Sequence, residues 1–162
     1  MKRILIFGNS GSGKSALAKE LCAAESLDHL DLDNLAWKAC SPPERKPINE
    51  SAAEISKFID LYEEWVIEGC YTDLLEIAEP FSTELIFMNL PIDMCVENAK
   101  IRPWEPHKYE SKEAQDSNLA MLIEWISQYS ERADTFSLSA HTTFYEQYSG
   151  KKRIYTSNER NK

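Results

Sequence analysis

The sequence predicts a three-layer α/β sandwich around a parallel sheet of about five strands. Two observations carry this prediction. Short apolar runs alternate with segments of helical spacing along the whole chain, the pattern that builds a parallel sheet with helices on both faces. The first of these runs, Ile4-Leu5-Ile6-Phe7, leads directly into Gly8-Asn9-Ser10-Gly11-Ser12-Gly13-Lys14-Ser15. That octet is G-x-x-x-x-G-K-[ST] in the setting the motif requires, between a buried strand and a helix.

Taken in order, residues 3–7 form a strand apolar on both faces, as at the centre of a parallel sheet. Leu17, Ala18 and Leu21 give the helix that starts at Lys14 its apolar face. His29-Leu30-Asp31-Leu32-Asp33 alternates as a second strand ending in two acids, and residues 38–47, with three prolines and no periodicity, form a loop. Ser51-Ala52-Ala53-Glu54 has capping-box spacing and opens a helix continued by Ile55, Phe58, Ile59 and Tyr62. A third strand, Trp65-Val66-Ile67, closes on Glu68-Gly69, and a short helix over 71–78 ends before Pro80. A fourth strand runs over 84–90 to Pro91, and a helix follows over 93–100. Residues 101–117 interleave Arg102, Lys108 and Lys112 with Glu105, Glu110 and Glu113, and read as an exposed excursion at the mouth of the site. Leu119, Leu122, Ile123 and Ile126 restore a helical stripe. A last helix over 142–149 ends at Gly150 as its C′ residue, and a last strand over 152–156 leads into a loop at 157–160.

The chain of 162 residues is expected to be a single domain, a monomer or dimer, with a composition that is 43% hydrophobic and 28% charged. A net charge of −9 argues against broad affinity for nucleic acid or anionic membranes, so an anionic ligand needs a local site. The apolar runs are too short to span a bilayer and no signal peptide is present, which points to the cytoplasm. Cys22, Cys40, Cys70 and Cys95 lack metal or disulfide spacing and read as free thiols, with Cys70 alone beside a candidate site. His29, His107 and His141 form no pattern and read as structural or surface residues.

The octet makes a pocket for a polyphosphate. Its glycines turn the backbone so that consecutive N–H groups point inward, and the following helix adds the positive end of its dipole. Gly8, Asn9, Ser10, Gly11, Ser12, Gly13, Lys14, Ser15 and Ala16 thus form the nucleotide-binding segment. Lys14 reaches the β- and γ-phosphates, and the Ser15 hydroxyl takes a position on Mg²⁺. Ligands bind beyond the carboxyl ends of such strands, which gathers Asp31, Asp33, Glu68 and Ser157-Asn158 there. One of Asp31 and Asp33, on the same face of an extended strand, assists the metal while the other holds the substrate hydroxyl. Asp33 is favoured for the substrate because it lies closer to the loop. As a plain alternative, both are solvated acids at a strand end. Glu68 ends an apolar strand, where an acid needs a partner. It serves the metal or the substrate, or else caps the next loop, while Gly69 gives a ligand close access to the backbone. Arg102 is the candidate to close over the transferring phosphate, against the alternative of a solvated charged face. Trp37 and Trp104 sit in loops at the rim, as core anchors or as borders of the acceptor pocket.

With these residues in place, the chain resembles the small P-loop kinases of the adenylate kinase and shikimate kinase superfamily. It is similar in particular to the bacterial adenylate-kinase-like group often labelled DNA topology modulation proteins. The resemblance rests on residues 3–15, on His29-Leu30-Asp31-Leu32-Asp33-Asn34-Leu35-Ala36-Trp37, on Trp65-Val66-Ile67-Glu68-Gly69-Cys70-Tyr71 and on Tyr155-Thr156-Ser157-Asn158-Glu159. It implies a sheet ordered 2-3-1-4-5, a mobile lid over about 101–132, and ATP with Mg²⁺. It also implies that Asp31 matches an acid near the metal, Asp33 the acid on the substrate hydroxyl, and Ser157-Asn158 the loop against adenine. Adenylate kinases carry several arginines in lid and acceptor site, whereas here Arg102 stands with Arg45 and Arg132. The implied acceptor is therefore a small hydroxyl-bearing metabolite, nucleoside or nucleotide, with an acceptor of little negative charge favoured over a nucleoside monophosphate. The alternative is an ATP-binding switch with slow hydrolysis and a macromolecular partner. No N-K-x-D motif supports a GTPase.

Overall fold

A computed structural model describes residues 1–39 and 43–159. The predicted Cys40 thiol and the loop residue Arg160 lie outside the described residues. Five strands, β1 (Arg3–Gly8), β2 (Asp28–Asp31), β3 (Trp65–Gly69), β4 (Glu84–Met88) and β5 (Lys151–Tyr155), form one sheet in the order β2-β3-β1-β4-β5. Every pairing is parallel, with Leu5 opposite Ile67 on one side and Leu85 on the other. Both edges are polar and short. β2 ends in Asp31, and β5 exposes Lys151, Lys152 and Arg153, charges that discourage pairing with another chain.

Alternation along β1 divides the core. Leu5 and Phe7 face one layer with α2 (Asp33–Ala36), α3 (Ile48–Leu61), α4 (Thr72–Ala78) and α8 (Leu138–Gln147). Ile4 and Ile6 face the other, with α1 (Lys14–Glu25), α5 (Ile92–Ile101) and α7 (Leu119–Ser127). Phe7 stacks on Phe87 at 4.6 Å between ring centroids, and Phe144 meets it edge-on at 5.3 Å. No helix among the described residues is long and apolar enough to cross a membrane.

The sequence misplaces several boundaries, each for a local reason. β2 stops at Asp31, and Asp33 opens α2, because the Asp33 N–H donates to Asp31 Oδ1 at 2.9 Å and turns the chain. Ser51 is not a cap. α3 begins three residues earlier behind Pro47, and the buried Ser51 hydroxyl donates instead to the Leu35 carbonyl at 2.9 Å. Ser51→Ala is expected to lower stability by about 1 kcal/mol in urea unfolding, since that carbonyl loses its donor. The last helix starts at Leu138, capped by Ser137, whose hydroxyl accepts from the Ala140 N–H at 3.0 Å. It ends before Gly150, whose φ is not positive. A side chain at Gly150 would lie 2.9 Å from the Tyr148 ring, so packing rather than a left-handed cap accounts for the glycine.

Candidate active site

The loop leaving β1 turns at Gly11, whose φ of 79° is left-handed and where a Cβ would sit 2.3 Å from the Cys95 carbonyl oxygen on α5. α1 then starts at Lys14 behind Gly13, with no side-chain cap and no acid in its first turn. Its first N–H groups therefore lack a side-chain partner and face the end of the sheet with the positive end of the dipole. Lys14 Nζ donates to the Asn9 carbonyl at 2.8 Å. The buried Asn9 side chain braces the loop, since Nδ2 donates to the Ile126 carbonyl at 3.2 Å and Oδ1 accepts from the Ser10 N–H. Ser12 Oγ is buried without a hydrogen-bond partner.

Ser15 Oγ donates to Glu68 Oε2 at 2.7 Å, and His29 Nε2 lies 3.1 Å from the same oxygen. His29, read from the sequence as structural or surface, thus has Glu68 as its partner. Asp31 stands in register beside Glu68, and burial, then Glu68, then Asp33 push its carboxyl up to about 6. Among the described residues no three His, Cys, Asp or Glu side chains form a ready metal cage. The donor set nonetheless fits Mg²⁺, which is held by one or two carboxylates together with substrate phosphates and water. Because the Ser15 proton points at Glu68, the lone pairs of its oxygen remain for a cation. Gly69 serves packing rather than ligand access, as a Cβ there would meet Leu32 Cβ at 2.9 Å.

Asp33, at the first position of α2, is engaged at both carboxylate oxygens. The Tyr71 hydroxyl donates to its Oδ1, Lys108 Nζ donates to its Oδ2 at 2.8 Å, and Trp37 Nε1 donates to the Tyr71 hydroxyl at 2.8 Å. Burial opposes ionisation of Asp33, but Lys108, the Tyr71 hydrogen bond and Lys14 outweigh it and hold the carboxyl below its ordinary range. Burial, with nearby Cys70 and Asp33, pushes the Tyr71 phenol up, so it stays a donor. Lys108 also lies 3.6 Å from Asp31 and 3.9 Å from Glu105. Behind this group Arg45 gives Nη2 to both oxygens of Asp73 at 3.2 Å, its guanidinium 4.9 Å from the centre of the Tyr71 ring.

Three solved structures match almost the whole chain. A shikimate kinase from Bacteroides thetaiotaomicron aligns with TM-score 0.53 and 16% identity over 99% of this chain and 89% of its own. A gluconokinase from Sinorhizobium meliloti 1021 gives 0.56 and 15% over 98% and 84%, and a sugar kinase from Janibacter sp. HTCC2649 gives 0.56 and 12% over 99% and 87%. The chain has the P-loop kinase fold. In sequence it is 28% identical over 138 residues to the uncharacterized protein YqaC of Bacillus subtilis (strain 168), across 79% of this chain and 72% of that one. No protein-family model matches.

Within this P-loop kinase fold, the predicted residues Lys14, Ser15, Asp31, Asp33 and Glu68 do gather beyond the carboxyl ends of the strands. Arg102 pairs within its own loop, its Nε 3.2 Å from Glu105 Oε1. Asn158 pairs reciprocally with Asn98 at 2.9 and 3.1 Å, and Asn98 also donates to the Gly11 carbonyl at 2.8 Å, tying the loop after β5 to the phosphate loop. Ser157 Oγ accepts from the Glu159 N–H at 3.2 Å. Trp104 is 42% exposed and donates to the Tyr109 carbonyl, whereas Trp37 borders Asp33 through Tyr71. Burial pushes the Cys70 thiol up to about 12, so it stays protonated. Sequence reasoning assigned no role to Tyr71 and Asn98, and it ranked Lys108 below Arg102 as a cation over the transferring phosphate. The charge alternation at 102, 105 and 108 was the visible signal for the last, and it was read as an exposed excursion at the mouth of the site.

Proposed function

We propose that the chain is an ATP-dependent phosphotransferase acting on a hydroxyl of a small metabolite, with residues 101–132 as its lid. The observation that supports this most is Asp33, a carboxylate fixed between Tyr71 and Lys108 and held ionised in part by the charge of Lys14 in an uncapped phosphate loop. In this reading the amides over 8–16 and Lys14 hold the triphosphate, and the loop after β5, braced by Asn98, borders the base. Ser15, with Asp31 and Glu68, holds Mg²⁺, which when bound supplies charge that offsets the phosphate oxygens. Asp33 accepts a hydrogen bond from the acceptor hydroxyl and aligns its oxygen with the γ-phosphorus. As the new O–P bond forms and the bond to the β-phosphate bridge breaks, Asp33 takes the hydroxyl proton and ADP leaves. Arg102, swung from Glu105, neutralises the transferring group.

An acceptor panel tests the reading. With ATP and Mg²⁺, ADP formation is expected to rise sharply with hydroxyl acceptors of one chemical class. A flat response across sugars, sugar acids, polyols and nucleosides, with hydrolysis stimulated by a macromolecular partner instead, would overturn it in favour of a nucleotide switch.

A further inference from the structure

The excursion over 101–117 has almost no aliphatic residues, yet it is held in a defined shape by polar bonds. Gln115, buried in the middle of α6 (Lys112–Ser117), accepts from the Glu105 N–H at 2.8 Å and donates to the Pro103 carbonyl at 3.1 Å. Trp104 Nε1 donates to the Tyr109 carbonyl at 3.0 Å, and Asn118 Nδ2 to the Tyr109 hydroxyl at 2.9 Å. The Lys108 and Tyr109 N–H groups both close on the Glu105 carbonyl at 3.0 Å. Lys108 lies at the inner side of this loop with 22% of its side chain exposed, and an ammonium withdrawn from water that far needs a fixed counter-charge. It finds one on Asp33, which is 75 residues away in sequence.

We infer that Lys108 is a positioning residue of the acceptor site, fixing the Asp33 carboxylate from the side opposite Tyr71. This rests on the phosphotransferase reading for the role of Asp33, while the contact itself does not. A carboxylate at the first position of a one-turn helix is free to rotate unless both oxygens are engaged. Tyr71 engages Oδ1 and Lys108 engages Oδ2, while 38% of the Asp33 side chain stays open for an incoming hydroxyl. The orientation of Asp33 therefore depends on the loop over 101–117 lying against the end of β2. Lifting that loop strips the carboxylate of one of its two holds, so acceptor alignment and loop closure are linked. The same ammonium offsets the charge of Asp33, which lets a hydroxyl acceptor enter without carrying a cation of its own.

The contiguous chain Lys108, Asp33, Tyr71, Trp37 supplies a spectroscopic readout, the indole N–H resonance of Trp37 in a ¹⁵N-correlated spectrum of the full chain. Lys108→Met is expected to displace that resonance while the resonance of buried Trp65 stays in place. Lys108→Arg is expected to restore much of it, and Lys112→Met, which removes an exposed cation of the same loop paired with Asp116, to leave it unmoved. With an acceptor in hand, Lys108→Met should lower kcat about 10- to 100-fold with the KM for ATP unchanged. Its effect should be non-additive with Asp33→Asn. An unmoved Trp37 resonance in folded Lys108→Met, or a rise in the KM for ATP with kcat preserved, would overturn the inference. Should the unaltered chain turn over no acceptor, the phosphotransferase reading falls, and the resonance comparison alone decides the placement of Lys108.

Discussion

Asp33→Asn is expected to lower kcat for phosphoryl transfer by about 10²- to 10⁴-fold, the range for losing a positioned general base. That range corresponds to about 3–5 kcal/mol of barrier. Asn keeps the volume and an oxygen for the Tyr71 hydroxyl, but it cannot take the acceptor proton, and it leaves Lys108 only the more distant carboxylates of Asp31 and Glu105. The transition state of phosphoryl transfer is loose, with the acceptor oxygen only weakly bonded when the leaving group departs. Proton transfer is then late, which puts the expected loss nearer the lower end. Nucleotide retention should not change, because Asp33 lies outside the loop over 8–16 to which triphosphate binding is assigned in the proposed reading. Lys14→Ala reverses the pattern, with retention falling first. Steady-state rates at saturating acceptor, paired with equilibrium binding of a non-hydrolysable ATP analogue, separate the two variants. An Asp33→Asn enzyme that turns over at the original rate would remove Asp33 as the proton acceptor.

What the sequence made legible was whatever depends on near neighbours. Ile4 to Phe7 are apolar at every position because β1 is covered on both faces, and the octet after it needs no distant partner to be recognised. Asp31 and Asp33 were visible as a pair, but the alternation from His29 to Asp33 reads the same whether or not the chain turns at Leu32. The turn is decided by a side-chain bond, Asp33 N–H to Asp31, and by Leu32 packing into the space beside Gly69. Ser51 carried a sound capping pattern that a tertiary partner, the Leu35 carbonyl, overrode. Lys108 was the furthest out of reach. Its charge matches its neighbours along the chain, and only folding across 75 residues distinguishes it from the exposed Lys112. Residues that act through a single remote contact leave no period or spacing to detect.

Acid should unfold the chain partly through His141, which is 0% exposed. Its Nε2 lies 2.8 Å from the Cys70 carbonyl, which can only accept, so Nε2 carries the proton. Nδ1 then accepts from the Tyr129 hydroxyl at 2.6 Å, and the ring is neutral. A second proton would sit in the core without a counter-ion. Burial first, and then the charge of Lys14, depress the imidazolium to about 4 from an ordinary 6.5, against a partial opposing effect of the Cys70 carbonyl. Between those two values the unfolded chain binds a proton that the native chain refuses. The stability from this residue is therefore complete above pH 6.5 and falls as pH drops towards 4, by about 3 kcal/mol in all. Urea midpoints measured from pH 7 to pH 4 should follow that decline. His141→Gln offers the same donor to Cys70 and an acceptor to Tyr129 but cannot titrate. It is expected to be somewhat less stable at pH 7, because the T-shaped contact of the ring with Phe7 at 5.3 Å is lost, and to show a flatter acid limb. An unchanged acid limb in that variant would assign the loss to other groups. The second proton would fall on Nδ1, so the bond from the Tyr129 hydroxyl is the one lost, while the Nε2–H bond to the Cys70 carbonyl is kept.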